Sequence, residues 1–213
     1  MTFRAPHTVP AQVRLPGALT QPADPRLKHR IVDWDGGQAD VVLVGIPFDL
    51  GVKLNHGREG AAQGPTAFRQ ALLRYGTTYD AAAGVCFDHL RICDAGDVEI
   101  VPDNVALTHE RTADVVGAVL AAGALPVVVG GGNDASFASV SALSRRSGPP
   151  GVVNVDAHLD VREVVDGCFH SGTPYRRVLE ELGVPGQHLV EFGLHAAVNA
   201  KAHVEYARQK GAA

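Results

Sequence analysis

Three residues of the chain have the types and spacing of a metal site: Asp156, His158 and Asp160. They follow the apolar run 152–155 at alternate positions. Alternate side chains of an extended chain project to one side, so two carboxylates and an imidazole would reach one or two cations if the strand stays extended. This mixture suits Mn²⁺ better than zinc, whose sites favour thiolates or several histidines. A helix cap before Val161 is the alternative, but capping requires only one carboxylate.

A glycine run marks a second candidate position. Residues 130–132 are all glycine, and Asn133 and Asp134 follow them. Glycines allow a tight turn and a close backbone approach to another group. No Gly-Lys-Ser/Thr follows and the spacing is not GxGxxG, so a nucleotide-binding loop is not indicated. Taken alone, the segment is equally well interpreted as a turn into a helix capped by Asn133 or Asp134.

A third segment, residues 169–176, carries a candidate proton-transfer group and two candidate substrate contacts. The proton-transfer candidate is His170, and the substrate contacts are Ser171 and Arg176. Arg176 is able to pair with a substrate carboxylate through two hydrogen bonds, or simply to lie on a helix surface. Without the other two segments, this one predicts only a turn before a helix with Pro174 near its first position.

The hydrophobic pattern predicts the elements that hold these residues. Strands are predicted at 41–47, 125–129, 152–155 and, more weakly, 188–192. Helices are predicted at 65–75, 106–122, 135–146, 175–182 and 199–210. The strands are nearly all apolar, as expected for strands buried on both faces, and their alternation with helices predicts a parallel sheet flanked by helices. Ligands of such sheets bind at the carboxyl ends of the strands, where the three candidate segments fall.

Composition narrows the class of protein. The 213 residues are 46% apolar, which predicts one globular domain, with residues 1–35 as a surface segment. A net charge of −4 provides no basic field for nucleic acid or an anionic membrane, and the longest apolar stretch, 115–129, is interrupted by glycines and a proline. Three cysteines without CxxC spacing indicate neither a disulfide framework nor a zinc site. We therefore expect a cytoplasmic protein that acts on a small polar molecule.

Taken together, the segments resemble the ureohydrolase family of arginases, agmatinases and formimidoylglutamases. The resemblance rests on the Asp-Ala-His-x-Asp box at 156–160, on the segments 44–51 and 56–69, on Asp-Ala-Gly-Asp at 94–97 and on the glycine run. It implies a three-layer α/β/α fold with a mainly parallel sheet and two Mn²⁺ per subunit. Asp156 would bridge the two ions, His158 would ligate one and Asp160 the other. His170 resembles the family's proton-transfer histidine.

The family's reaction explains a need for metal. A guanidinium or formimino carbon is a poor electrophile, so neutral water attacks it slowly. Two cations about 3.5–4 Å apart lower the pKa of a bridging water and orient it, while a histidine handles protons for the departing nitrogen. The resemblance therefore predicts a hydrolase of linear amidines.

Two departures from the family pattern bear on this prediction. Asn133 stands where the family usually has a metal-binding histidine, and either its amide or the neighbouring Asp134 is the candidate replacement. The family's later Asp-x-Asp box is also missing, since the one such triplet is Asp33-Trp34-Asp35. We therefore expect a chain that lacks the C-terminal strands of the fold. An inactive ureohydrolase remnant remains an alternative.

Within the family, the loop at 170–176 and the triple glycine are most similar to formimidoylglutamases. The predicted function is the hydrolysis of formimidoylglutamate to glutamate and formamide, a step of histidine degradation, by a homo-oligomer. An agmatinase-like or arginase-like guanidino hydrolase is the alternative.

Overall fold

The computed structural model describes residues 5–17 and 25–213, and these fall into two compact units. The first unit takes in the described residues up to 48, together with 60–100 and 114–131; the second comprises 49–59, 101–113 and 132–213. The strands are β1 (Thr8–Val9), β2 (Ile31–Asp33), β3 (Val41–Gly45), β4 (Tyr79–Asp80), β5 (Val85–Cys86), β6 (Ile92–Val98), β7 (Leu125–Val129), β8 (Val152–Val155) and β9 (Leu189–Phe192). The helices are α1 (Leu50–Leu54), α2 (Gly64–Arg74), α3 (Val105–Ala121), α4 (Ser136–Ser147), α5 (Pro174–Glu180) and α6 (Lys201–Lys210).

The first unit contains a five-stranded, mainly parallel sheet. Strand β6 pairs in parallel with β2 and β3, and β3 pairs in parallel with β7. Among the described strands of this sheet, β1 alone runs antiparallel, along the last residues of β6. The prediction of a mainly parallel sheet is therefore confirmed, and β7 has the predicted bounds.

The N-terminal part of the chain contributes to this sheet, which corrects the prediction of a surface segment over residues 1–35. Ile31 and Trp34 are buried, and β2 pairs with β6. Strand β2 has only three residues, and the short polar stretches on either side of it left no hydrophobic pattern from which to predict it. Residues 1–4 and 18–24 of the predicted segment lie outside the described residues.

Strand β6 was not predicted, because buried charges interrupt its apolar pattern. Arg69, on α2, donates to both carboxylate oxygens of Asp94 at 2.8 Å and to Asp97 at 2.7 Å. Arg69 is only 1% exposed. A Cβ atom at Gly45 would lie 2.0 Å from the Asp97 carboxylate, so glycine is required where β3 passes this ion cluster. Two aspartates can be buried in a central strand because the charge of the buried arginine compensates theirs.

The second unit is built on the parallel pair β8 and β9. Helices α4, α5 and α6 supply residues to an apolar cluster that also includes Leu189 of β9. Buried and exposed side chains alternate along both strands, as expected when only one face of a strand is covered. Leu189 is fully buried, whereas Val153, Val155 and Phe192 are 64%, 74% and 65% exposed. The prediction that these strands are buried on both faces is therefore wrong within the described chain.

None of the helices among the described residues combines the length and apolar character needed to cross a membrane.

Candidate functional site

The Asp156 to Asp160 segment forms a tight turn at the end of β8. The carboxylate of Asp156 accepts the backbone N–H of His158 at 2.7 Å and lies 3.0 Å from Nδ1 of the His158 ring. Asp160 adopts a left-handed conformation, with φ of 48°. The expected extended strand is therefore absent here, and a turn stabilised by Asp156 follows β8 instead.

A second loop holds this turn in place. The side chain of Asn199 donates to the carbonyl of Ala157 at 2.9 Å and accepts the N–H of Leu159 at 3.0 Å. The N–H of His195 also donates to Ala157. These hydrogen bonds restrain the backbone of the turn, and the carboxylates of Asp156 and Asp160 project from that restrained backbone.

One cavity of about 210 Å³ in the second unit is lined by most of the predicted site residues. Asn133, Asp156, His158, Asp160 and Ser171 all line it. The hydroxyl of Ser171 accepts a hydrogen bond from Asn55, a further lining residue, at 2.9 Å. The structure thus brings together side chains that lie up to 116 positions apart in the sequence.

The structure distinguishes Asn133 from Asp134. The amide nitrogen of Asn133 donates to Oδ2 of Asp160, and its amide oxygen accepts the hydroxyl of Ser136 at 2.9 Å. Asp134 is 1% exposed and contacts His109 at 2.8 Å. Asn133 is therefore the candidate donor at the cavity, and its amide must rotate to present oxygen to a cation.

Burial opposes the ionisation of a carboxylate in the cavity and of another on the neighbouring strand β9. Burial, reinforced by the negative charge of Asp156, raises the pKa of Asp160 to about 6. Burial also raises the pKa of Glu191, on β9, to about 7. Carboxylates in which burial and a neighbouring anion oppose ionisation are stabilised by a bound cation.

The donor set fits Mn²⁺ in chemical kind, because carboxylate, amide and imidazole groups surround one polar cavity. Within residues 5–17 and 25–213, however, no group of three His, Cys, Asp or Glu side chains converges in metal-binding geometry. The His158 ring lies against Asp156 in this arrangement. Ligation therefore requires side-chain rotation of His158 and Asn133.

His170 does not line the cavity itself; it precedes the lining residue Ser171 in the loop before α5. Its Nδ1 atom accepts the backbone N–H of Gly172 at 3.2 Å, so the neutral ring carries its hydrogen on Nε2. Burial, and then the charge of Arg162, lower the pKa of His170 and favour this neutral form.

Arg176 does not line the cavity, contrary to its predicted role as a substrate contact. Its Nε atom lies 2.9 Å from Glu180, and its guanidinium stacks 3.8 Å from the centre of the Tyr206 ring. These contacts agree with the alternative prediction that Arg176 lies on a helix surface, because Glu180 is one turn away on α5. The sequence left this choice open.

Arg162 is the cavity arginine that the sequence analysis missed. It donates to Asn55 at 3.2 Å and shares the cavity with His203, on α6. A Cβ atom at Gly172 would lie 2.8 Å from Cδ of Arg162, so glycine leaves room for the arginine side chain. Its position two residues after Asp160, in the same alternate series, was the available signal.

Comparisons with known proteins agree with this arrangement. The sequence profile of the Arginase family matches residues 39–213. The formimidoylglutamase of Bacillus subtilis (strain 168) is 30% identical over 187 residues, which cover 86% of this chain and 57% of that protein. The proclavaminate amidinohydrolase of Streptomyces clavuligerus is 28% identical over 207 residues, covering 96% of this chain and 62% of that protein. The chain thus spans less than two thirds of the length of either relative.

A solved structure extends the comparison to the fold. The crystal structure of Trypanosoma cruzi formiminoglutamase with Mn²⁺ matches with a TM-score of 0.82 at 41% identity, over 89% of this chain and 64% of that chain. The predicted arginase-like α/β fold class is confirmed by this match.

Proposed function

This chain belongs to the arginase family, and on that premise we propose that the protein is a Mn²⁺-dependent formimidoylglutamase. It hydrolyses formimidoylglutamate to glutamate and formamide, a step of histidine degradation. The observation that carries the proposal is that the candidate metal donors and the guanidinium of Arg162 line the same cavity. The similarity to formimidoylglutamases of Bacillus subtilis and Trypanosoma cruzi supports the choice of substrate.

The metal donors of the proposal are Asp156, His158, Asp160 and Asn133. Asp156 would be the carboxylate shared by the two ions, and in this structure it lies 3.0 Å from Nδ1 of His158. The amide of Asn133 is a neutral ligand and holds its ion less firmly than a histidine does. Bound Mn²⁺ supplies a water of lowered pKa and polarises the amidine.

Arg162 and Ser171 bind and orient the substrate in this proposal. The guanidinium of Arg162 pairs with a substrate carboxylate through its fixed fork of donors. An arginine at the cavity favours an anionic amidine such as formimidoylglutamate over the cationic chain of agmatine. This assignment replaces Arg176, whose guanidinium is already engaged by Glu180 and Tyr206.

His170 moves the proton that the leaving nitrogen requires. The neutral ring would take up a proton from the attacking water at Nδ1, which requires the hydrogen bond from the Gly172 N–H to open, and would pass its Nε2 hydrogen to the nitrogen as the C–N bond breaks. The lowered pKa of His170 favours the neutral ring with which this sequence starts.

Product analysis tests the proposed activity. Formamide release from formimidoylglutamate and urea release from agmatine and arginine are measured in one Mn²⁺-containing preparation. We expect formamide release to be the fastest of the three. Faster urea release would overturn the proposal in favour of a guanidino hydrolase. Rates no higher than those of metal-free protein with all three substrates would instead support an inactive remnant.

The setting of the enzyme is proposed as cytoplasmic and homo-oligomeric. The three cysteines are all free thiols, which suits a reducing compartment. Exposed apolar side chains of β8 and β9, such as Val155 and Phe192, provide surface that a second chain would cover.

A further inference from the structure

A row of buried polar side chains adjoins the Asn133 turn in the second unit. Nε2 of His109 lies 2.8 Å from Oδ2 of Asp134, and Nδ1 of His109 lies 3.1 Å from a guanidinium nitrogen of Arg177. Arg177 also donates to both carboxylate oxygens of Glu181, at 2.7 and 2.9 Å. His109, Asp134 and Arg177 are 3%, 1% and 5% exposed. We refer to these four residues as the Asp134 network.

The contact with Arg177 fixes the hydrogen on His109. An arginine side chain has donors and no acceptor, so Nδ1 of His109 must accept its hydrogen bond. A ring that accepts at Nδ1 is neutral and carries its hydrogen on Nε2, which then donates to Asp134. His109 thus links a buried cation to a buried carboxylate through one defined tautomer.

Packing holds both ends of the network in a single arrangement. The guanidinium carbon of Arg177 lies 3.6 Å from the ring centres of both Phe137 and Phe169, so cation–π contacts restrain it from two sides. At the other end, a Cβ atom on Gly51 or Gly132 would lie 2.3 Å from the Asp134 carboxylate. Asp134 therefore occupies space that only two glycines leave open.

We propose that His109, Asp134 and Arg177 are positioning residues for Asn133. Asp134 is covalently next to Asn133, so an anchored Asp134 side chain sets the backbone from which the Asn133 amide reaches Asp160. A neutral amide binds a cation more weakly than a histidine, so its contribution depends strongly on being held in place. This inference rests on the proposed function only where it treats Asn133 as a Mn²⁺ donor.

Mn²⁺ affinity tests the positioning role. The His109→Phe variant keeps a ring of similar size but removes both hydrogen bonds, and its affinity for Mn²⁺ is measured by titration calorimetry. We expect a loss of roughly 10-fold or more, as for other residues that orient metal ligands. Asp134→Asn keeps an acceptor for His109 and should lose less. Val178→Ala, a fully buried apolar position on α5, is the control for general destabilisation. Equal affinities of His109→Phe and Val178→Ala would overturn the proposal.

A metal-free measurement separates this inference from the proposed function. In ¹⁵N-histidine NMR spectra, we expect His109 as the neutral tautomer with hydrogen on Nε2. We also expect the side-chain amide resonances of Asn133 to shift in His109→Phe and to stay unchanged in Val178→Ala. A His109 ring with hydrogen on Nδ1, or unmoved Asn133 resonances, would contradict the positioning role. A wild-type chain that shows these signatures but binds no Mn²⁺ would refute the metal site alone.

Discussion

The side-chain amide of Asn133 donates a hydrogen bond to the carboxylate of Asp160, although the two residues are 27 positions apart. Two candidate metal donors from separate loops therefore meet directly, at the point where a cation would lie between them. The hydrogen bond also turns the nitrogen of the amide, which is not its ligating atom, towards the cavity.

Replacing Asn133 with histidine should strengthen Mn²⁺ binding. An imidazole is a stronger donor than an amide and needs no rotation of an amide group to present its lone pair. We expect the dissociation constant of the weaker Mn²⁺ ion to fall by about 10-fold, measured by titration calorimetry. Asn55→His, a change at the same cavity away from the Asp156 turn, is the matched control. Weaker binding by Asn133→His than by the wild type would argue against Asn133 as a donor.

Substrate recognition should depend on Arg162 and not on Arg176. Arg162→Leu removes the guanidinium at the cavity, and we expect the KM for formimidoylglutamate to rise about 10-fold to 100-fold with unchanged Mn²⁺ content. Arg176→Leu loses only its contacts with Glu180 and Tyr206, so its KM should stay within about 2-fold of the wild type. The opposite ranking of the two variants would restore Arg176 as the substrate contact.

Stability of the first unit should depend on the buried ion cluster of Arg69. Arg69→Met leaves Asp94 and Asp97 buried without their cation, which should lower the free energy of unfolding by about 3–5 kcal/mol. Chemical denaturation measures the loss. Arg74→Met, at an exposed position of the same helix, should change stability by no more than about 0.5 kcal/mol. Similar losses for the two variants would mean that the cluster contributes little.

Self-association of the 213-residue chain should involve the exposed face of β8 and β9. Val153 and Val155 lie on the same face of β8 and are 64% and 74% exposed. Phe192, on β9, is the pairing partner of Val155 and is 65% exposed. Val153→Lys places a charge on this apolar face and should reduce association in sedimentation experiments. Gln209→Lys, on the exposed surface of α6, controls for added charge alone. If both variants associate as the wild type does, another surface is responsible.

The sequence predicted well the bounds of elements with a strong local hydrophobic pattern, although β7 and β8 are less buried than that pattern predicted. Strands β7 and β8 have the predicted bounds, and helix α3 is displaced by one residue from the prediction. Strand β6 was missed because Asp94 and Asp97 interrupt its apolar pattern, and only a long-range contact with Arg69 makes their burial favourable.

The candidate site was predicted in composition more accurately than in geometry. Asp156 and Asp160 do line one cavity, but a turn and a left-handed residue bring them there, where an extended strand was expected. Turn conformation depends on hydrogen bonds with Asn199, which is about 40 positions away and gave no local signal. Arg162 was missed although it lies two residues after Asp160, because its place at the cavity depends on contacts with Asn55 and Gly172 that are distant in sequence or in a later loop.

The central claim, that the turn after β8 is the metal site of the protein, is tested most directly by metal content. Mn²⁺ per chain is measured after dialysis for the wild type, Asp156→Ala, His158→Ala and, as a control at an exposed carboxylate, Glu163→Ala. We predict that Glu163→Ala keeps the wild-type content, that His158→Ala loses part of it and that Asp156→Ala retains none. An Asp156→Ala protein that keeps the wild-type Mn²⁺ content would contradict the assignment of this site.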